Sequence, residues 1–166
     1  MRSLSGRNDP PLAELADAVD AADVAAAKEL FLEYARSLDF SLCFQGFDEE
    51  MAAFPGAYSG PRGALILARA GGEPAGVVGL RPLDRRACEM KRLYVRPAHR
   101  GSGLGRLLAE AVIAAGRARG YRVMRLDTIP SMGAAIELYR ALGFRPIPAY
   151  THNPVAGALF FEKALG

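Results

Sequence analysis

Histidine and cysteine are scarce in this chain. There are two of each, His99 and His152, Cys43 and Cys88, and neither pair is close in sequence. No Cys-x-x-Cys pair exists, so the ligand spacing of a structural zinc site is missing and no metal is expected. No apolar run approaches the roughly 18 residues of a membrane span, and no charged-then-apolar leader opens the sequence. These absences lead to the expectation of a cytoplasmic protein with no membrane partner. The net charge is only +3. The arginine-rich middle (Arg81, Arg85, Arg86, Lys91, Arg92, Arg96, Arg100, Arg106) comes without the aromatic platforms or groove-reading helix of a nucleic-acid binder. No nucleic-acid partner is expected. The glycine-lysine phosphate loop of nucleotide hydrolases is absent. The dinucleotide fingerprint fails as well, because Arg106 stands where its third glycine belongs.

What is present suits one domain. A chain of 166 residues, 51% hydrophobic, can bury a real core. Residues 1–11, polar with paired prolines, are expected to form a flexible tail, and 12–166 a single domain. Val24, Ala27, Leu30, Phe31, Tyr34 and Leu38 follow helical spacing over Asp20–Leu38, with Asp20 or Asp23 as cap. Phe40–Pro55 is mixed aromatic and acidic. Strands are expected at Ala64–Arg69, Ala75–Arg81 and Cys88–Val95, joined by Gly71-Gly72 and Asp84-Arg85-Arg86 turns. A helix from Leu107 to Arg119 carries an apolar stripe of Leu107, Leu108, Ala111, Val112 and Ala115. Then follow a strand (Arg122–Thr128), a helix (Met132–Leu142) and strand material at Phe144–Ile147 and Ala158–Lys163. The expected class is α/β (α+β), one mixed, mostly antiparallel central sheet flanked by helices.

The most informative stretch is Arg100-Gly101-Ser102-Gly103-Leu104-Gly105-Arg106. It joins the strand-like Arg92–Val95 to a helix. Glycine at alternate positions lets the backbone approach a ligand closely. The free N–H groups of the following helix carry roughly half a positive charge and suit a phosphate. Arg100 and Arg106 add two full charges. The stretch reads as a pyrophosphate cradle.

The Arg-x-x-Gly-x-Gly spacing of Arg100, Gly103 and Gly105 resembles the coenzyme A loop of the GCN5-related N-acetyltransferase (GNAT) superfamily. Cys88–Pro97 is similar to that family's central strand, and Ala134–Phe144 to its next helix with a Leu-Tyr-x-x-Leu-Gly-Phe ending. The resemblance is strong from Ala75 to Phe144. It implies a splayed central strand and transfer of an acetyl group from acetyl-CoA to a primary amine of a small molecule or peptide, by direct attack in a ternary complex. It implies that Arg100, Gly101, Ser102, Gly103, Leu104, Gly105 and Arg106 hold the pyrophosphate. The backbone of Leu93, Tyr94 and Val95 would then bind the pantetheine arm as an added strand.

Two catalytic residues follow from the same resemblance. Glu89 is the candidate general base, its pKa raised towards neutrality in a partly dry cleft. Its alternative readings are a salt bridge to Lys91 or Arg92 and a plain surface glutamate. Tyr139 is the candidate proton donor to the departing thiolate, its alternative an aromatic core residue. Cys88 reads as apolar filler, or else as a wall of the acyl pocket beside Glu89. Met132 stands where many relatives carry an asparagine that contacts the cofactor, and Ser131 is the neighbouring donor. The run Phe44–Glu50 would suit a cationic amine, with Tyr58, Tyr150, His152 and Asn153 as a further wall. A homodimer is compatible with this reading. The alternative functions are a non-catalytic acyl-CoA-binding regulatory module and a nucleic-acid binder.

Overall fold

The computed structural model describes residues 13–43 and 46–166. The expected N-terminal tail, residues 1–11, and Phe44 lie outside them. Seven strands form one sheet in the order β1-β2-β3-β4-β5-β7-β6. They are β1 (Ala13–Asp17), β2 (Ala64–Ala70), β3 (Glu73–Pro82), β4 (Ala87–Val95), β5 (Val123–Thr128), β6 (Arg145–Ile147) and β7 (Leu159–Ala164). The helices are α1 (Ala21–Ser37), α2 (Phe47–Ala52), α3 (Leu104–Ala118) and α4 (Gly133–Ala141). Only β4 and β5 run parallel; every other pair is antiparallel. No described helix is long and apolar enough to cross a membrane.

Strand alternation splits the core into two layers. Ile66, Ala68, Val78, Leu80, Cys88 and Met90 face α3 and α4, meeting Leu104, Leu108, Val112 and Tyr139. Leu65, Leu67 and Val77 face α1 and α2, meeting Leu30, Phe31 and Met51. Because β2 and β3 are covered on both sides, they read as continuous apolar runs. The Asp20 carboxylate accepts the Asp23 N–H at 2.8 Å and caps α1 as expected.

The expected elements are all found, with three informative differences. β1 had no counterpart in the sequence reading. It is a five-residue edge strand with only Leu15 half-buried, too short and polar to show alternation. α3 begins at Leu104, three residues earlier than expected, because Gly103 is its N-cap and Leu104 is already in the core. Leu107, assigned to the apolar stripe, is 45% exposed; the buried stripe is Leu104, Leu108, Val112 and Ile113.

The feature that positions the site is an irregularity in β4. Between the pairs Val77↔Tyr94 and Gly79↔Lys91, β3 advances two residues and β4 three. Arg92 takes up the extra residue at φ 60°, the sole positive φ outside glycine among the described residues. This is a β-bulge, and it bends the strand that carries it. On the other side, β4 pairs with β5 only at Ala87↔Val123, Cys88↔Met124 and Glu89↔Arg125. Beyond Glu89 the two strands part, and β5 continues on β7 alone. The splayed central strand implied by the resemblance is therefore present.

Opposite the bulge, Gly79 admits no side chain. A Cβ there would lie 2.6 Å from the Tyr58 ring and 3.3 Å from Phe31. Gly79→Ala is expected to cost about 1–3 kcal/mol by overpacking. Urea denaturation checks this; an unchanged midpoint would mean that the aromatic layer under the bulge yields freely.

Candidate active site

One end of the site is the turn from β4 into α3. Gly101 and Gly103 adopt φ 79° and 83°, and a Cβ at either would meet no atom within 4 Å. The loop is open to solvent, and no side chain caps α3. The first intrahelical bond runs from Leu107 N–H to the Gly103 carbonyl at 3.1 Å. The N–H groups of Leu104, Gly105 and Arg106 thus project from the first turn without helical partners. Ser102 donates its hydroxyl to the His99 carbonyl at 2.6 Å and tightens the loop. Arg100 donates to the Val95 carbonyl at 3.0 Å, and Arg106 pairs with Glu110 at 2.9 Å. Both arginines are exposed beside this loop.

The other part is the gap between β4 and β5, an open cleft. Leu93, Met132 and Tyr139 line it from the α4 side, and Tyr34, Phe40 and Leu42 from the α1 side. Lys91, Arg92, Asp127 and Asn153 supply its polar lining. Tyr139 packs edge-on against Phe144 at 5.8 Å. Burial pushes its phenol well above the usual tyrosine range, so it stays protonated at neutral pH. Leu93 lines the cleft, whereas Tyr94 turns to the opposite layer, 6.0 Å from Tyr34. Met132 N-caps α4 and receives the Thr128 hydroxyl on its sulfur at 3.7 Å. Ser131 is exposed and lines no part of the cleft.

A family model described as "Acetyltransferase (GNAT) family" matches residues 26–144. The chain belongs to the GNAT acetyltransferase family. It is 37% identical, over 81% of its own length and 84% of the relative's, to an uncharacterised N-acetyltransferase of Schizosaccharomyces pombe. In fold it is similar to a GNAT acetyltransferase of Staphylococcus aureus, with TM-score 0.76 and 18% identity over 93% of this chain and all of the other. It is also similar to an acetyltransferase of Salmonella typhimurium solved with its cofactor acetyl-CoA. That pair gives TM-score 0.71 and 22% identity, over 93% and 95% of the two chains.

Around the cleft, the acetyltransferase gathers six charged side chains, with Arg81 30% exposed and the other five more deeply buried. Arg92 and Glu50 pair through two contacts of 3.2 Å, with their side chains 2% and 12% exposed. Arg81 reaches Glu89 at 2.7 Å and Glu50 at 3.8 Å. Lys91 faces Asp127 at 3.7 Å. Three cations meet three carboxylates, which offsets much of the desolvation penalty of burying them. The loop between β6 and β7 closes the group with two neutral donors. Tyr150 gives its hydroxyl to Glu89 at 2.6 Å, and Asn153 gives its amide to Asp127 at 3.0 Å.

This environment corrects the expected state of Glu89. The residue is 1% exposed and does not line the cleft. Burial alone pushes its carboxyl up, but the Lys91 and Arg81 cations and the Tyr150 hydroxyl outweigh it. The net result lies below the usual carboxylate range, not raised towards neutrality. The ion-pair reading was nearer the structure, but with Arg81 as the direct partner. Cys88 is a filler: its side chain points to the α3 layer, beside Gly116 and Met124, and burial pushes its thiol up to about 12. It lines no acyl pocket. The acidic run is also spent differently, because Glu50 is consumed by Arg92 and Arg81 while Asp48 and Glu49 face solvent. Of the expected further wall, Asn153 reaches the cleft and Tyr150 reaches Glu89, whereas Tyr58 and His152 do not line it.

A depressed carboxyl stabilises the fold above its unfolded pKa, here 4.5, and that contribution is lost as pH falls through the folded value. Glu89→Gln leaves Arg81 with only the more distant Glu50, at 3.8 Å, as charge partner and is expected to cost about 1–3 kcal/mol at neutral pH. The gap between wild type and variant should narrow as pH falls below 4.5 and through the lower folded value. Urea midpoints across that range check it; a gap independent of pH would mean that Glu89 is not held ionised.

Proposed function

We propose that the protein is an acetyl-CoA-dependent N-acetyltransferase that acts on a primary amine of a small molecule or peptide, by direct attack within a ternary complex. The observation that carries this reading is the open edge of β4 beyond Glu89, ending at the uncapped N-terminus of α3. Chain and cofactor fit each other at both places. The diphosphate suits the empty space over Gly101 and Gly103 and the N–H groups of Leu104, Gly105 and Arg106. Arg100 and Arg106, held by weak exposed partners, are free to turn towards it. The amide-bearing pantetheine arm suits the unpaired edge at Leu93, Tyr94 and Val95, as a strand suits a sheet edge.

When bound, acetyl-CoA supplies an activated acetyl group as a thioester. The chain's own groups do the rest. Tyr139, protonated and inside the cleft, is the proton donor for the departing thiolate. Backbone N–H groups freed at the bulge are donors for the carbonyl oxygen as it gains charge. Glu89 holds Arg81 and Tyr150 in place. Each of its oxygens accepts a hydrogen bond from one of those residues.

A thiol-release screen of amines with acetyl-CoA tests the activity. Acetyl-CoA alone should raise the melting temperature and shift the amide resonances of residues 101–106. Tyr139→Phe should lower kcat about 10-fold to 100-fold while leaving the cofactor-induced melting shift intact. Neither stabilisation by acetyl-CoA nor thiol release with any amine would reject the reading.

A further inference from the structure

The cleft has two facing walls. Leu93, Met132 and Tyr139 stand on the α4 side, beside the open β4 edge that suits the pantetheine arm. Tyr34, Phe40 and Leu42 face them from the α1 side and belong to the other layer of the core. With a thioester laid along β4, the α1 wall is the one left for the acceptor. That wall is aromatic and aliphatic. Tyr34 comes from the second half of α1, and its ring lies 6.0 Å from Tyr94. Phe40 and Leu42 follow just beyond the helix, Leu42 only 6% exposed. Burial pushes the Tyr34 phenol above the usual tyrosine range, a mark of poor hydration along this wall.

The charges around the cleft decide what such a wall can take. Among the described residues that line it, Asp127 is the one carboxylate, against the cations Lys91 and Arg92. Asp127 is engaged by Lys91 at 3.7 Å and Asn153 at 3.0 Å, and Arg92 by Glu50 at 3.2 Å. Asp48 and Glu49 are exposed and line no part of the cleft. Glu33, beside Tyr34 in sequence, is held by Arg96 at 2.6 Å. A second ammonium on the acceptor would meet two cations and a carboxylate already engaged. An added carboxylate would have to draw Lys91 or Arg92 from a matched pair. Either insertion leaves a charge poorly compensated in a partly dry site.

We propose that the acceptor is a monoamine with an uncharged, apolar body, an arylalkylamine above all, selected by the wall of Tyr34, Phe40 and Leu42. This rests on the acetyltransferase reading above and deepens it. The attacking nitrogen is then the acceptor's one polar end. Its body packs on the aromatic wall, as an apolar ligand does in a pocket with few polar groups. The acidic α2 segment, which in sequence suits a cationic amine, contributes no carboxylate to this surface.

The test uses the full chain with acetyl-CoA and measures thiol release from phenethylamine, hexylamine, ethanolamine, glycine and spermidine. Phenethylamine should give the highest kcat/KM, at least about tenfold above ethanolamine, glycine and spermidine, with hexylamine between. Phe40→Ala, at a half-buried position, should raise the KM for phenethylamine about tenfold and leave the melting shift from coenzyme A intact. Phe40→Asp should bring spermidine level with phenethylamine or above it. The wild-type ranking decides by itself if a variant does not fold. A best acceptor with a second charged group, in this panel or in the wider screen, would overturn the inference and leave the acetyltransferase reading standing. So would folded Phe40 variants with the wild-type KM and ranking. A protein that binds coenzyme A but releases thiol with no amine at all would overturn both together.

Discussion

Everything at the active site depends on β4 and β5 ceasing to pair after three rungs. A parallel pair in a fully covered sheet ordinarily runs on as long as both strands last. Here β4 inserts a residue at Arg92, turns its edge away from β5 and leaves main-chain polar groups facing a gap. Arg92 holds a left-handed conformation that costs of order 1 kcal/mol or more for a side-chain-bearing residue. Its guanidinium is pinned between Glu50 and the face of Phe47, 5.2 Å from the ring centroid. The strain is therefore over-determined by contacts from α2. The gap it opens lies between the strand that leads into the α3 loop and its parallel neighbour.

Opening a sheet in this way exposes its interior to charge. Six ionised side chains occupy the front of the fork, balanced three against three. Such a group gives little net stability compared with apolar packing, but losing one member strands another in low dielectric. The β6–β7 loop contributes no charge to it, only a hydroxyl and an amide. Each reaches a different carboxylate, so one loop orients both Glu89 and Asp127.

How much of this was legible depends on the range of the interactions involved. The helices α1, α3 and α4 and strands β2 to β5 follow from local periodicity and turn residues, and their observed bounds lie within a few residues of expectation. The phosphate loop is equally local, seven consecutive residues. β1 was missed because Ala13–Asp17 has one half-buried apolar side chain and takes its conformation from pairing with β2. The state of Glu89 was misread for a similar reason. Lys91 and Arg92 are its neighbours in sequence, but Arg81 comes from the adjacent strand and Tyr150 from 61 residues away. Asp127 was read only as the end of a strand. A signal was there: a lone acidic residue among Val123, Met124, Leu126 and Thr128, with Arg125 before it on the same face. Its meaning depends on where β4 stops pairing, which no local pattern encodes.

Two carboxylates on neighbouring strands thus sit in different surroundings. Glu89 lies at the last rung, where the strands are still joined, and the closed sheet surrounds it with donors. Asp127 lies just past that rung, where the sheet is open, and one side of its carboxylate looks into the cleft. The residue types differ by a single methylene; the fork supplies the rest. The same logic explains why Lys91 is tolerated at the fork despite burial that pulls its pKa down. Its charge is shared between Glu89 and Asp127, one on each side of the fork.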